Sequence, residues 1–417
     1  MRGCIVVPRT TTTTTWNFSL AAALLLMAPF DLLASLAMDV YLPVVPLMPG
    51  ILGTTPAVVQ LTLSLYMVVL GAGQLVFGPI SDRMGRRPVL LTGAALFAAA
   101  SYLLAGTVSA ALFVALRVLQ ALGAAAALVA TFATVRDVYA ERAEGAVIYS
   151  LFGSMLAFVP ALGPVVGALL ADHLGWRAIF LALGVAATAA ALNAAPRWPE
   201  TRPVNASRPR AALGRILADA SFWTYTLGFS AAMGAFFVFF STASRVLIDR
   251  AGFSQLAFSL VFATVALVMI ATTRFARRFV ARWGSAGSLV RGMGMLLLGA
   301  ALLVVGQVIA APSFWTFIPP MWIIAIGIVF ASSVTANGAL QSFGDVAGTA
   351  TALYYCIESL IVGVVGTTLV VLLPGDTAWP LATYCTLMAV VVLGFIRRAE
   401  ASPATDVLPR PARHRET

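Results

Sequence analysis

The chain contains no lysine: all 26 of its basic residues are arginine. Charge of either sign is scarce, at 10% of 417 residues, where soluble domains carry about 25%. With 60% hydrophobic residues and a mean hydropathy of +0.95, there is too little polar surface to clothe a soluble fold, so lipid is the expected solvent. Only three cysteines occur, Cys4, Cys356 and Cys385, scattered along the chain. That excludes a disulfide framework and a zinc-ligand spacing. Two histidines, His173 and His414, are too few and too peripheral for a metal site, and no metal or other cofactor is expected. No G-x-S-x-G, H-E-x-x-H or Walker A sequence is present. An intramembrane enzyme has no nucleophile–base pair to offer, ATP is not the energy source, and a receptor would need an extramembrane domain that no loop is long enough to form.

What the chain does have is apolar length. Runs of about 20 apolar residues, enough for one helical crossing, recur along nearly all of it. Barrel strands would alternate polar and apolar residues over about ten positions, and no such alternation is seen. The runs predict spans near 18–43, 56–79, 88–106, 109–133, 145–171, 176–195, 221–245, 253–276, 285–310, 313–340, 346–373 and 377–396. The fold class is therefore an all-α integral membrane protein, with twelve transmembrane helices in two six-helix halves. The expected divisions are an N-terminal tail (1–16), a first half (17–196), a linker (197–219), a second half (220–397) and a C-terminal tail (398–417). The linker is the longest internal polar stretch, holding Pro199, Pro203, Pro209 and five arginines. Residues 1–16 carry a threonine run and no short apolar core ending in a small-residue site, so a cleavable signal peptide is not expected.

Arginine placement predicts orientation. With both termini in the cytoplasm, 22 arginines fall on the inside, among them Arg83, Arg86, Arg87, Arg136, Arg142 and Arg278. Three, Arg177, Arg245 and Arg250, fall outside, and Arg117 lies within a span. Because the arginines sit in loops between spans, topology explains the basic balance better than nucleic acid does, and no nucleic-acid partner is expected.

The densest polar segment is Gly78-Pro79-Ile80-Ser81-Asp82-Arg83-Met84-Gly85-Arg86-Arg87, which reads as a short cytoplasmic turn between spans two and three. Gly85 permits a tight turn. Asp82 either caps a helix or pairs with an arginine of the other half when the inside is closed; the plainer reading of the loop is a basic membrane anchor. Residues 274–284 (RFARRFVARWG) occupy the same place in the second half, keeping the arginines but lacking the aspartate.

Among the charged residues within spans, Asp31, Asp39, Arg117 and Glu358 carry the sharpest signals. Asp31 lies mid-span one, where a carboxylate costs about 2.5–3.5 kcal/mol on insertion scales and is expected to face the bundle interior or a wet cavity. There it either alternates between protonated and ionised states or is bonded structurally to neighbouring helices. Asp39, about 12 Å further along the helix and rotated by about 80°, either borders the same cavity or orders the helix end before Pro43. Arg117 in span four stays charged and must meet an anion, a carbonyl or water; a bundle can bring it near Asp31 or Asp39. Glu358, mid-span eleven, either binds substrate or a proton or is bonded locally to Ser359. In span five, Pro160, Gly163, Pro164 and Gly167 combine kink-forming prolines with a small-xxx-small pair that lets helices approach closely. Span seven carries Phe229, Phe236, Phe237, Phe239 and Phe240; some of these are expected to face lipid and one or two to wall a cavity. Tyr66, Trp322 and Asn337 are further candidates for which core packing or lipid contact is the better reading.

The segments PFDLLASLAMDVYLP, GPISDRMGRRP, RVLQALG, ATVRDVYA, PALGPVVGALL, GWRAIF and GDTAWP together resemble the florfenicol and chloramphenicol exporters. These are twelve-span drug:proton antiporters of the major facilitator superfamily. The resemblance runs from about Trp16 to Arg397. The G-x-x-x-D-R-x-G-R-R loop marks the superfamily, the span-five G-P motif marks its antiporters, and R-x-x-Q-x-x-G resembles the fourth helix of its proton-coupled exporters. It implies alternating-access export of a phenicol drug from a bacterial inner membrane, driven by the proton gradient, with Asp31 and Arg117 serving substrate binding and proton coupling. Asp39 matches a second acidic position of related multidrug exporters. The longer N-terminus, the arginine-rich tail and Glu358 depart from the pattern. The implied partners are the drug, protons and membrane lipid, and a monomer suffices. The competing reading is a facilitator that exports sugars or other small metabolites.

Overall fold

Short polar side chains set where the spans begin. In the computed structural model, which describes residues 16–139, 143–202, 212–343 and 346–401, Ser19, Thr55, Asp219, Ser254 and Ser313 each accept a backbone N–H from the first turn of the helix that follows. Each satisfies one of the donors that a helix N-terminus leaves open. Every span is helical, and no strand occurs among the described residues. The spans are α1 Leu20–Asp39, α2 Pro56–Met84, α3 Arg86–Gly106, α4 Ala110–Tyr139, α5 Ala143–Leu174 and α6 Arg177–Arg197. They continue as α7 Ala220–Ser244, α8 255–283, α9 285–309, α10 Phe314–Leu340, α11 Ala347–Ile361 and α12 Trp379–Ala401. Helices α8 and α9 meet at Gly284, whose φ of 70° and ψ of 177° break an otherwise continuous run. Residues 1–15 of the N-terminal tail, Arg142, linker residues 203–211 and the C-terminal tail from 402 lie outside the described residues.

The boundaries differ from the hydropathy reading in one consistent way. Polar residues expected in loops are mostly helical. Gly78 through Met84 complete the last turns of α2, and the chain breaks only at Gly85, with φ of 109°. Residues 274–283 likewise extend α8. A helix needs no apolar side chains once it leaves the hydrocarbon, so hydropathy ends before the helix does. At the opposite end, α1 passes into a 3₁₀ turn, Leu42–Leu47, and a short helix, Met48–Ile51. Pro43 and Pro46 remove donors there and favour the tighter winding. Helices α7 and α11 each carry a π-helical turn, Arg245–Arg250 and Val362–Gly366. Part of the linker, Ala212–Ala218, is itself a short helix.

The two sets of six spans pack alike. Helices α3 and α4 touch at Gly93 and Gly123, where a Cβ on Gly93 would lie 2.8 Å from the Gly123 carbonyl oxygen. Helices α9 and α10 touch in the same way at Gly292 and Gly327, with 2.9 Å for the corresponding contact. The sets meet along two seams, α2 against α11 and α5 against α8.

The expectation that some span-seven phenylalanines face lipid is corrected. Phe237, Phe239 and Phe240 are buried, and Phe229 and Phe236 are half-buried. Helix α7 is packed against α10, α11 and α12, which leaves no broad lipid face. Phe239 stacks between Phe262 and Phe317, with centroids 5.1 and 5.7 Å away.

Candidate functional site

Helix α1 carries both early aspartates into the interior. Pro29 removes one N–H of its backbone ladder two residues before Asp31. Asp31 is 2% exposed, and its Oδ2 is buried without a hydrogen-bond partner among the described residues. A carboxylate oxygen left in that condition is costly, so the position suits a proton or a ligand group arriving from elsewhere. Asp39 closes α1, is also buried, and accepts no hydrogen bond from a described residue.

The span-five motif presses on that end of α1. A Cβ on Gly163 would lie 2.6 Å from the Asp39 Cβ, and one on Gly167 would strike the Val40 carbonyl oxygen. One turn of α5 is therefore flush against Asp39 and Val40. The same turn meets the second set of spans, because Ser259 Oγ of α8 donates to the Pro164 carbonyl at 3.0 Å. Gly167→Ala is expected to force α5 away from α1 and lower stability by about 1–3 kcal/mol. Thermal unfolding of the purified protein checks this, and an unchanged midpoint would mean that the seam yields freely.

Arg117, fully buried in α4, does not meet either aspartate, contrary to the sequence expectation. Its Nη1 donates to the Ala37 carbonyl at 3.1 Å and to Gln120 Oε1 at 2.5 Å, and its Nε donates to the Thr62 carbonyl at 3.4 Å. The guanidinium carbon lies 4.5 Å from the centre of the Tyr66 ring and 5.2 Å from that of Tyr41. The physical reason is the end of α1: the last four carbonyls of a helix lack intrahelical partners and carry partial negative charge, and Ala37 is among them. Gln120 Nε2 donates onward to Ser101 Oγ at 2.8 Å, and Tyr66 donates to the Ala34 carbonyl at 2.8 Å. Arg117 thus ties α1, α2 and α4 together, with its Nη2 left unpartnered.

Glu358, 6% exposed, accepts a hydrogen bond from Ser359 Oγ at 3.0 Å, the local option among those the sequence left open. Ser359 lies against Gly71 of α2, and one turn on, Gly363 lies against Val68. This places Glu358 beside the α2–α11 seam. The site residues are therefore spread: Asp31, Asp39, Arg117 and Tyr66 belong to the first six spans, and Glu358 to the last six. Phe229 stacks on Tyr354 at 4.9 Å. Trp322 donates to Thr264 Oγ1 at 3.0 Å, and Asn337 is exposed.

At the arginine-rich end, Arg86 is 1% exposed and bridges Asp82 Oδ1 at 2.6 Å and Asp137 Oδ2 at 2.8 Å. Asp82 thus pairs within the first six spans rather than across to the second set, since Arg86 lies one turn away on the far side of the Gly85 break. Sequence reasoning assigned no role to Asp137 or Glu200. Glu200, just beyond α6, accepts the backbone N–H of Arg86 at 2.7 Å and of Arg87 at 3.2 Å, and also those of Thr201 and Arg202. Its carboxylate occupies the place where a Gly85 side chain would begin. Arg87 Nη2 donates to the Ala195 carbonyl at 2.7 Å, and Arg202 donates to the Arg83 carbonyl. The loop is thereby fastened to the linker. The signal for Glu200 was there to read: it is the one carboxylate among the arginines that open the linker. Gly78 has open space beside it, so packing does not require it.

Arg86→Ala would leave the Asp137 carboxylate, itself 6% exposed, with only the half-exposed Arg136 as its ion-pair partner among the described residues. The expected loss is about 3–5 kcal/mol. Asp82→Asn removes a partner that is 43% exposed and is expected to cost under about 1 kcal/mol. Unfolding midpoints of the two variants, compared side by side, test that order.

At the arginine-poor end the two sets of spans are in contact. The Leu42–Leu47 turn packs against α7, α8 and the Arg245–Arg250 turn, and a narrow cleft there is lined by Pro46, Gln60, Arg245 and Asp249. Arg250 pairs with Asp376 at 2.6 Å. At the arginine-rich end, no ion pair joins the two sets among the described residues.

The sequence profile of the Major Facilitator Superfamily matches residues 29–367. A chloramphenicol resistance protein of Pseudomonas aeruginosa is 54% identical over 380 residues, covering 91% of this chain and 91% of that protein. Multidrug resistance protein D of Escherichia coli is 27% identical over 374 residues, covering 89% and 93% respectively. Among solved structures, a peptide transporter in complex with sulfate aligns with a TM-score of 0.75 at 12% identity, covering 90% of this chain and 94% of its own. A D-xylose-proton symporter aligns with a TM-score of 0.71 at 17% identity, covering 90% and 98%. At those identities the structures speak for the fold alone, and the fold, the profile and the first relative agree: the chain is a multi-pass membrane protein that belongs to the major facilitator superfamily of transporters.

Proposed function

We propose that this transporter exports phenicol antibiotics, chloramphenicol and florfenicol, from the bacterial cytoplasm in exchange for protons, across an inner membrane that leaves both termini inside. The observation that carries the reading is the 54% identity, over nine-tenths of both chains, to a chloramphenicol resistance protein. Asp31 is the group that fits the exchange. Its buried Oδ2 has no partner among the described residues, and a phenicol offers a hydroxyl and an amide N–H as donors. The ionised carboxylate accepts from the drug. A proton entering from outside removes that acceptor and favours release there, and after reorientation the proton leaves to the cytoplasm. In this reading the arginine asymmetry puts the joined end toward the exterior and the Asp82–Arg86–Asp137 cluster toward the cytoplasm, and the contacts at the joined end support a state closed toward the exterior.

The test is efflux of preloaded chloramphenicol and florfenicol from cells, with the proton gradient intact and after it is collapsed. Export that requires the gradient supports the reading. Export that ignores the gradient removes proton coupling, and no export of either drug removes the substrate assignment.

A further inference from the structure

Between Arg250 and Asp345 the chain carries five arginines and no aspartate or glutamate. Four of them, Arg274, Arg277, Arg278 and Arg282, fall in the last turns of α8, ahead of the Gly284 break. All four are exposed, and none forms an ion pair with a described residue. The matching corner of the first six spans is built differently. There Asp82, Asp137 and Glu200 lie among Arg83, Arg86 and Arg87, and part of the positive charge is met within the protein. Among the described residues, no carboxylate pairs with the arginines of the second corner.

Helix geometry says what lies opposite these arginines. At 1.5 Å per residue, residues 255–283 rise about 43 Å, against a hydrocarbon core of about 30 Å. The final turns of α8 therefore pass through the headgroup layer. At 100° per residue, Arg274, Arg278 and Arg282 form one stripe about 80° wide, and Phe275 and Phe279 border it. These phenylalanines are 55% and 41% exposed, while Ala276 and Val280 pack inward beside Phe330 of α10. An outward apolar pair beside a guanidinium row matches a boundary with acyl chains on one side and phosphates on the other.

We propose that this stripe is a binding site for anionic phospholipid, with the guanidinium groups of Arg274, Arg278 and Arg282 holding the headgroup phosphate and the phenylalanines meeting its acyl chains. Guanidinium binds phosphate oxygens bidentately. Each basic side chain near an anionic membrane surface strengthens binding about fivefold. A lipid of net negative charge supplies countercharge to arginines that no described carboxylate pairs, and a zwitterionic lipid does not.

The test uses the full-length protein purified in neutral detergent and titrated with phosphatidylglycerol or phosphatidylcholine. Retained lipid is read by native mass spectrometry, and the lipid-induced rise in Tm by thermal unfolding. The parent is expected to favour phosphatidylglycerol at least tenfold. The variant combining Arg274→Gln, Arg278→Gln and Arg282→Gln is expected to lose that preference. Arg278→Gln alone, the milder change, is expected to weaken phosphatidylglycerol binding about fivefold, and Arg177→Gln at the opposite end is expected to leave it unchanged. Equal binding of both lipids by the parent overturns the proposal, as does a preference that survives in the arginine variants. If these arginines serve instead to meet carboxylates of the first six spans, the parent shows no lipid preference, which is the same negative result.

Discussion

Asp31→Asn is expected to reduce gradient-driven phenicol efflux to the level of cells lacking the protein, while leaving the protein folded in the membrane. Asparagine keeps the shape of the side chain but cannot take up and release a proton. No hydrogen bond to Oδ2 from a described residue is lost, because none is made, and a neutral amide avoids the insertion cost of about 2.5–3.5 kcal/mol that a mid-span carboxylate carries. The unfolding midpoint is therefore expected to hold or rise. That combination separates a functional carboxylate from a structural one, whose loss would lower stability along with transport. Asp31→Glu, which keeps the titrating group, is expected to retain part of the efflux. Coupled efflux that persists in the asparagine variant would move proton coupling away from Asp31, and the same substitution at Asp39 and Glu358→Gln would then locate it.

The parts legible in the sequence were those written in side chains with a period or a cost. Twelve apolar runs became twelve helices, because a spanning backbone must satisfy its hydrogen bonds within each segment. Gly85 stands at a positive φ that other residues avoid, and the Gly163–Gly167 pair marks a close helix contact. The parts that stayed hidden depend on backbone groups that only the fold brings near. Arg117 was expected beside a carboxylate because the sequence displays carboxylates and does not display the open carbonyls at the end of α1. Glu200 serves the amides of Arg86 and Arg87, more than a hundred residues earlier in the chain. The span-seven phenylalanines carry no periodic signal for a helix enclosed on several sides, so apolar composition alone suggested lipid.

Arg117 is expected to give the second large effect, and the contrast between two substitutions identifies its role. Arg117→Ala removes donors from the Ala37 and Thr62 carbonyls and from Gln120 Oε1. The Thr62 carbonyl keeps its helical donor, so at about 1–3 kcal/mol for each of the two buried acceptors left unserved, the loss should be about 2 kcal/mol or more. Arg117→Lys restores the charge but not the planar fork, so an ammonium cannot reach acceptors on α1 and α2 together while lying over the Tyr66 ring. The lysine variant is therefore expected to recover much of the stability and little of the efflux. Thermal unfolding and drug efflux measured on both variants decide the matter. Full efflux from the lysine variant would mean that charge alone suffices, and parental stability in the alanine variant would mean that the three-helix tie carries no weight. The reason to expect a functional loss lies in the spacing along α1. Arg117 grips the chain at Ala37, Gly163 and Gly167 press it at Asp39 and Val40, and Ser259 links that same turn of α5 to α8. A change of protonation at Asp31 must pass through this short segment to move one set of spans against the other.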